Sequence, residues 1–400
     1  MGETASRWAL FAVADFRRLW VVGLVLFVVR WLEMIAFGVF TYEATNSAFV
    51  VAMVTMLRLL PMGLFGAFIG AYAERMERRT ALLAVVAGLF LASTTLAVFA
   101  FAGQLAVWQI ALASFINGIG WAADNPVRRV MIGETAGAER MNVAMSIDVG
   151  SNNASRMLGP TVGGALLAGI GIGGALVLGA VLYLVAIGVL LRVRHRNPPR
   201  EAVVGSVLAT IVEGLAYGWR DRRMFAILWV TVVYNLFGWP FTGMIPVIGR
   251  DSLDLGPQGV GLLASMDGLG AFAGALVMAR YSRPEMFRLA YAGGCMAYLA
   301  AIAGFALSPG MGTASVALML TGFCGTGYTV MQATLIYQGA PPAMRSRMLG
   351  VLSVCIGLGP IGFLLLGGLA ELLGAQNATA ACAIAGVASL VLTWRVWRVI

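Results

Sequence analysis

The sequence is poor in charged side chains and rich in apolar ones. Only 11% of its 400 residues are charged, against about 25% in an ordinary soluble protein, and 60% are apolar. Too few charged groups are available to cover a water-facing surface, which excludes a soluble globular protein. We therefore interpret the chain as an all-α membrane protein that crosses the bilayer many times.

Side chains suited to catalysis or metal binding are also scarce. His195 is the single histidine. The cysteines lie one by one in apolar stretches, without the spacing of a metal or redox site, at Cys295, Cys324, Cys355 and Cys382. We expect the cysteines to be packing residues, and we predict no metal, no cofactor and no enzymatic activity.

Lysine is absent, so the positive charge comes from 27 arginines, which give a net charge of +9. Division of the long apolar stretches at turn residues predicts twelve spans of about 20 residues each. If successive spans alternate in direction, 23 arginines fall on one side of the membrane, Arg250 alone falls on the other, and three lie within spans. We call these two sides the arginine-rich and the arginine-poor side. Basic loops remain in the cytoplasm, so both termini are predicted to be cytoplasmic, and no nucleic-acid partner is expected.

An internal repeat divides the chain into two parts. The segment GAFIGA at 66–71 recurs as GAFAGA at 270–275, an offset of 204. An even number of spans per part gives both parts the same orientation. We therefore predict two parallel six-helix bundles over residues 1–191 and 224–400, joined by a cytoplasmic linker at 192–223 that contains an amphipathic helix.

Two motifs resemble those of the major facilitator superfamily. Residues 70–79, GAYAERMERR, resemble its signature loop between spans 2 and 3, and residues 159–164, GPTVGG, resemble an element of span 5 associated with antiporters. The stretches 16–20 and 125–164 resemble the branch that includes the enterobactin exporter and macrolide efflux proteins. The resemblance covers essentially the whole chain and implies the major facilitator fold. It implies gating roles for Gly70, Glu74, Arg75, Arg78, Arg79, Asp124, Gly159, Pro160, Gly163 and Gly164.

The signature loop has a physical interpretation as a latch between the two bundles. Glu74 is expected to accept hydrogen bonds from a helix N-terminus of the other bundle, and the loop arginines to pair with Asp124. A second interpretation leaves the arginines a role in topology only. In span 5, Pro160 weakens the helix and the glycines allow close contact, which either seals a cavity or merely kinks the span. Ser114 stands where related drug exporters often carry an arginine.

Six ionisable residues are predicted at membrane depth, where a charge costs about 2.5–3.5 kcal/mol on insertion scales. We predict proton-coupling carboxylates and their charge partners among them, with Glu33 as the principal carboxylate and Arg30 on the same helix face as its partner. The carboxylates are Glu33, Asp148 and Asp267, and the charge partners are Arg30, Arg58 and Arg156. In a second interpretation the six residues form balanced ion pairs that only fix helix register.

Aromatic and amide side chains within the spans are predicted to line a central substrate cavity, at Trp31, Asn152, Tyr234, Asn235, Trp239, Phe241, Tyr328 and Gln332. The resemblance implies a monomeric secondary transporter of a bacterial inner membrane, whose partners are a small-molecule substrate, protons and lipid. The leading hypothesis is a proton-coupled exporter of amphipathic small molecules, of the drug or siderophore class, that works by alternating access. The alternatives are an uptake symporter or lipid translocator and, in another class, a non-transporting membrane receptor or assembly partner.

Overall fold

The computed structural model describes residues 7–75, 77–137, 140–194, 207–281 and 284–400, and these are helical apart from short connections. No strand occurs within these ranges, which confirms the predicted all-α class. The long apolar stretches favour helices because a helix satisfies its own backbone hydrogen bonds, and lipid offers no partners for them.

Five long helices form what we call the N-terminal half: α1 (Ala14–Thr45), α2 (Ala48–Arg75), α3 (Arg78–Phe101), α4 (Val107–Ala136) and α5 (Met141–Leu190). At 50 residues and 1.5 Å per residue, α5 is too long for one crossing of the bilayer. It turns at Gly171, whose φ of 66° lies in the left-handed region that favours glycine. The sequence predicts that spans 5 and 6 are divided within the glycine-rich stretch 169–174. The turn lies in this stretch, so α5 contains the two predicted spans one after the other.

The linker contains α6 (Val207–Arg220), at the place of the predicted amphipathic helix. The C-terminal half follows as α7 (Arg222–Val233), α8 (Ile245–Val247), α9 (Pro257–Tyr281), α10 (Gly294–Ala306), α11 (Met311–Gly339), α12 (Pro342–Ile356), α13 (Gly359–Leu373), α14 (Ala375–Leu392) and α15 (Trp394–Trp397). Between α7 and Ser252 the helix passes through π and 3-10 turns around Pro240 and Pro246. Each proline lacks a backbone N–H donor, which is why regular α geometry does not persist there.

Nine helices among the described residues are long and apolar enough to cross a membrane. One of them, Val143–Leu190, contains two predicted spans. Two of the long helices fall outside the nine: α4, which carries Asp124 and Arg128 in its length, and α2, which contributes a shorter apolar stretch at Ala48–Met62. The multi-pass membrane character is confirmed, and the count of twelve spans stays a prediction.

Helix packing follows the internal repeat. In the N-terminal half α2 packs on α4, and in the C-terminal half α9 packs on α11. Each of these helices also contacts the opposite half, because α2 packs on α13 and α9 packs on α5. Since α2 and α9 carry the two copies of the repeated GAFxGA segment, equivalent helices make equivalent contacts.

Glycines bring α9 and α11 into backbone contact. A Cβ atom at Gly322 of α11 would lie 1.8 Å from the carbonyl oxygen of Asp267, and one at Gly270 of α9 would lie 1.9 Å from the carbonyl oxygen of Met319. No side chain fits at either position, so the small residues set the distance between the two helices. This contact fixes the position of Asp267, whose role is described below.

Gly322→Ala is expected to destabilise the protein by about 1–3 kcal/mol, because the added methyl group forces α9 and α11 apart. Gly312→Ala on the same helix is the control, since a Cβ there meets nothing within 4 Å and alanine is the better helix former. Thermal unfolding in detergent measures both. Equal melting temperatures for the two variants would contradict the backbone contact.

Candidate functional site

Glu33 lies in a closed polar pocket within the N-terminal half. Its side chain is 2% exposed, and the Tyr183 hydroxyl donates to Glu33 Oε2 at 3.2 Å. Ser93 and Asn117 are further hydrogen-bonding neighbours, and Arg58 supplies the nearby positive charge. Four helices, α2 to α5, thus contribute one group each to the surroundings of this carboxylate of α1.

Arg30 does not serve as the partner that the sequence predicted for Glu33. Its guanidinium pairs with Asp124 at 3.7 Å and stacks on Trp121, 4.7 Å from the ring centre. Arg58 reaches across instead and donates to the Arg30 carbonyl oxygen at 2.9 Å. The rotation of α1 relative to α4 determines which carboxylate Arg30 pairs with. The spacing of residues along α1 does not reveal this rotation.

Arg128 is the centre of a buried charge network between α4 and α5. Its Nε donates to Asp124 Oδ1 at 2.8 Å, and its Nη1 pairs with Asp148. Arg129 Nε reaches the other oxygen of Asp148 at 3.2 Å. The Arg128 side chain is 0% exposed, so this arginine is a buried part of the helix packing.

Space for Arg128 comes from two residues of α1 that the sequence did not single out. A Cβ at Gly23 would lie 2.3 Å from Arg128 Nη1, and the Phe27 ring lies under the guanidinium at 4.9 Å. A glycine and a phenylalanine among many in an apolar span carry no sequence signal for this role. The fold of α1 onto α4 creates it.

The signature loop makes other pairs than those predicted. Arg78 pairs with Glu134, and Arg79 donates to the carbonyl oxygens of Leu190 and Leu191 at 3.3 and 2.7 Å. Asp124 is instead bound by Arg30 and Arg128. Gly70 and the side chains of Glu74 and Arg75 lie outside the part of the chain that the structure describes. The latch proposed for Glu74 therefore stays a prediction.

An ion pair joins the two halves near the middle of the molecule. Arg156 Nη2 on α5 donates to Asp267 Oδ2 on α9 at 2.6 Å. The Arg156 side chain is 40% exposed, whereas that of Asp267 is 9% exposed. The second carboxylate oxygen of Asp267 is buried and has no hydrogen-bond partner among the described residues.

The glycines of the span 5 motif let α5 contact helices of both halves. A Cβ at Gly159 would lie 2.7 Å from Trp31 Cβ of α1, and one at Gly163 would lie 3.0 Å from Leu32 Cα. A Cβ at Gly164 would lie 2.4 Å from the Pro257 carbonyl oxygen of α9. The glycines of this motif thus make close contacts with α1 and α9, and their gating role stays a prediction.

Most of the predicted cavity residues of the C-terminal half form one cluster. Tyr234 stacks on Tyr328 with ring centres 3.8 Å apart, and Gln332 Nε2 donates to Tyr328 Oη at 2.5 Å. Asn235 Nδ2 lies 3.4 Å from the same hydroxyl. The cluster also includes Tyr298, which stacks on Tyr234 at 4.5 Å and was not predicted, because a tyrosine in an apolar span resembles a packing residue.

The remaining predicted cavity residues are buried or half-buried and lie outside this cluster. Phe241 is 1% exposed and packs against Tyr298 and Phe305, so it is a core residue and not part of a cavity wall. Trp239 packs edge-on against Phe363. In the N-terminal half, Trp31 Nε1 donates to Ser155 Oγ at 3.3 Å, and Asn152 is half-buried one helical turn from Arg156.

Contacts between the halves concentrate on the arginine-poor side. Glu43 of α1 pairs with Arg250, and Glu371 of α13 accepts hydrogen bonds from the Ser47 hydroxyl and from the Phe49 N–H at 3.2 Å. Glu371 thereby satisfies one of the free N–H groups at the start of α2. These contacts close the arginine-poor side.

Toward the arginine-rich side, α5 and α12 leave room around two of their glycines. A Cβ at Gly150 of α5 or at Gly350 of α12 would meet nothing within 4 Å, and Val149 and Val354 beside them are exposed. These open positions and the partly exposed Arg156 indicate a space between the halves on the arginine-rich side, and the pair Arg156–Asp267 lies between these positions and the closed side.

Comparison with known proteins defines the class. Macrolide efflux protein A of Streptococcus pyogenes is 21% identical over 381 residues, which cover 94% of this chain and 93% of the relative. Multidrug efflux pump Tap of Mycolicibacterium fortuitum is 25% identical over 356 residues, which cover 86% of each. The nucleoside transporter NupG has the same fold, with a TM-score of 0.75 at 12% identity over 96% of this chain and 99% of that one. The chain is thus a membrane transporter of the major facilitator type and not an enzyme.

The family assignment rests on the whole length of the chain. The family model described as transmembrane secretion effector (MFS_3) matches residues 5–398, and the chain belongs to this family. A bacterial homologue of the lysosomal transporter Spinster, in an inward-facing and unoccupied conformation, also shares the fold, with a TM-score of 0.70 at 14% identity over 99% of this chain and 97% of that one. The predicted relation to the major facilitator superfamily is confirmed.

Arg128→Met is expected to cost about 3–5 kcal/mol of unfolding free energy, because it leaves Asp124 and Asp148 buried beside fewer positive charges. Arg129→Met, at a side chain 41% exposed, is expected to cost only about 0–1 kcal/mol. Denaturant titration in mixed micelles measures both values. Similar values for the two variants would show that Arg128 is not the centre of the network.

Proposed function

We propose that the protein is a proton-coupled exporter of amphipathic small molecules in a bacterial inner membrane, working by alternating access as a monomer. The observation that carries the proposal is the space between the halves, which is open on one side, closed on the other and crossed by one ion pair. The efflux proteins among the relatives favour export over the uptake and lipid-translocation alternatives. The monomer is favoured because one chain supplies both walls of this space.

We assign the arginine-rich side to the cytoplasm, with both termini on that side. The basis is the excess of arginine there, since basic loops are retained in the cytoplasm. In this orientation the space between the halves is open to the cytoplasm, which is the state in which an exporter takes up its substrate. The moving bodies would be residues 1–191 and 224–400, joined by the linker at 192–223, as the internal repeat predicts.

Opening of the arginine-poor side requires the two halves to rock apart there. The motion breaks the Glu43–Arg250 pair and the hydrogen bonds of Glu371. It also separates α5 from α9 at Gly164 and Gly261, where backbone meets backbone without interlocking side chains. Separation of such backbone contacts between glycines requires less free energy than separation of an interface packed with large side chains.

Glu33 is the carboxylate that we assign to proton coupling. It is buried in a pocket of hydrogen-bonding groups with one arginine, Arg58, close by. Protonation of Glu33 removes the charge that attracts Arg58 and therefore changes how α1 and α2 are held together. Asp148 is less suited to this role, because both of its carboxylate oxygens are engaged by arginines. Asp267 remains the competitor, since its ion pair joins the two halves directly.

Glu33→Gln is expected to abolish substrate accumulation driven by a proton gradient while substrate binding persists, because only the titrating group is lost. Transport by proteoliposomes under an imposed pH gradient, together with binding in detergent, measures the two properties separately. Asp267→Asn is the matched variant. If Glu33→Gln still accumulates substrate and Asp267→Asn does not, the coupling role belongs to Asp267.

Glu371→Ala is expected to loosen the arginine-poor side, because it removes the acceptor that holds the start of α2. With Asn152→Cys in a background lacking the native cysteines, a membrane-impermeant thiol reagent applied from the arginine-poor side should label the cavity severalfold faster. Glu77→Ala on the opposite side is the control, since Glu77 bonds to Thr80 of its own helix. Equal labelling rates in the two variants would contradict a gate at Glu371.

A further inference from the structure

Arg156 offers positive charge to the open space between the halves. One N–H of its guanidinium is engaged by Asp267, at 2.6 Å. Its side chain is 40% exposed, and none of its other donors has a partner among the described residues. A guanidinium carries five N–H donors in a planar fork, so most of the donors of Arg156 are available to a ligand.

The other arginines of the N-terminal half differ from Arg156 in this respect. Arg128 is fully buried between two carboxylates, and Arg30 is 13% exposed and stacked between aromatic rings. Arg129 is 41% exposed, but it lies on the Asp148 network and not at the contact between the halves. Arg156 is therefore the arginine of this set that both reaches the open space and touches the opposite half.

The carboxylate of the pair is not accessible in the same way. Asp267 is 9% exposed, and its free oxygen is buried beside the tight α9–α11 contact. A cationic ligand would have to displace Arg156 before it reached Asp267. The charge presented to the space between the halves is accordingly positive.

Aromatic rings stand next to this charge. Tyr234 and Tyr298, which stack on each other with ring centres 4.5 Å apart, lie near enough to Arg156 to interact with it electrostatically. Tyr234 is only half-buried, so part of its surface faces the same space. A guanidinium beside an aromatic surface suits a ligand that has an anionic group at one end and an apolar or aromatic body at the other.

We infer that Arg156 is an anion subsite, and that the substrate carries a carboxylate or a comparable anionic group which competes with Asp267 for this guanidinium. This inference rests on the proposed transport function and names the substrate class. A bound anion would weaken the pair between α5 and α9, so substrate binding would itself loosen the contact that must separate during transport.

The test compares two probes of the same shape, pyrene butyrate with its carboxylate and pyrene butanol without charge. Their dissociation constants for the full-length protein in nanodiscs are measured by energy transfer from tryptophan. The parent protein is expected to prefer the carboxylate roughly tenfold or more, the range of one hydrogen bond to a charged group. Arg156→Gln should abolish this preference, and Asp267→Asn should increase it, because the competitor is removed.

The Asp267→Asn result separates an anion subsite from a structural ion pair, since a structural role gives no reason for tighter carboxylate binding. Arg129→Gln is the control for general loss of positive charge, and it should retain the parent preference. Equal binding of the two probes by the parent, or weaker carboxylate binding by Asp267→Asn, would overturn the inference. Preferential binding without transport of pyrene butyrate in proteoliposomes would contradict the proposed function and leave the subsite intact.

Discussion

The pairing of charges inside a low-dielectric bundle is the constraint on which the rest of this structure depends. An unpaired charge buried in protein or lipid is too costly to keep, so each buried arginine of the N-terminal half has a nearby carboxylate. Arg128 draws α4 and α5 together through two acids, and Arg30 ties α1 to α4. The charges therefore determine which helix faces meet within this half.

The same constraint acts differently between the halves. Among the described residues, Arg156 and Asp267 form the one ion pair that joins the halves near the middle of the molecule, and this pair is partly exposed. Around it, glycines of α5 and α9 place backbone against backbone, with the Thr161 hydroxyl donating to Ser265 Oγ at 2.7 Å. An interface with exposed ion pairs and backbone contacts between small residues suits the separation that we propose, whereas the buried network holds the helices of the N-terminal half together.

The sequence alone predicts the helical class, the superfamily and the residue types of the site, because apolar length, arginine distribution and glycine motifs are visible in it. Tyr234, Asn235, Tyr328 and Gln332 do form one cluster. The pairing of charges could not be predicted, since it depends on helix rotation and tilt. Arg128 is the clearest case: in sequence it resembles a loop arginine near a helix end, and in the fold it is fully buried.

In the proposed transport cycle the two halves move against each other on the arginine-poor side. Pulsed electron spin resonance between labels at Ala44 and Asn377, which are exposed there in opposite halves, tests it most directly. If the halves move in this way, the resting protein shows one short distance between the labels. A second, longer distance becomes populated when a proton gradient or Glu371→Ala shifts the equilibrium. A single unchanged distance under all of these conditions would contradict it.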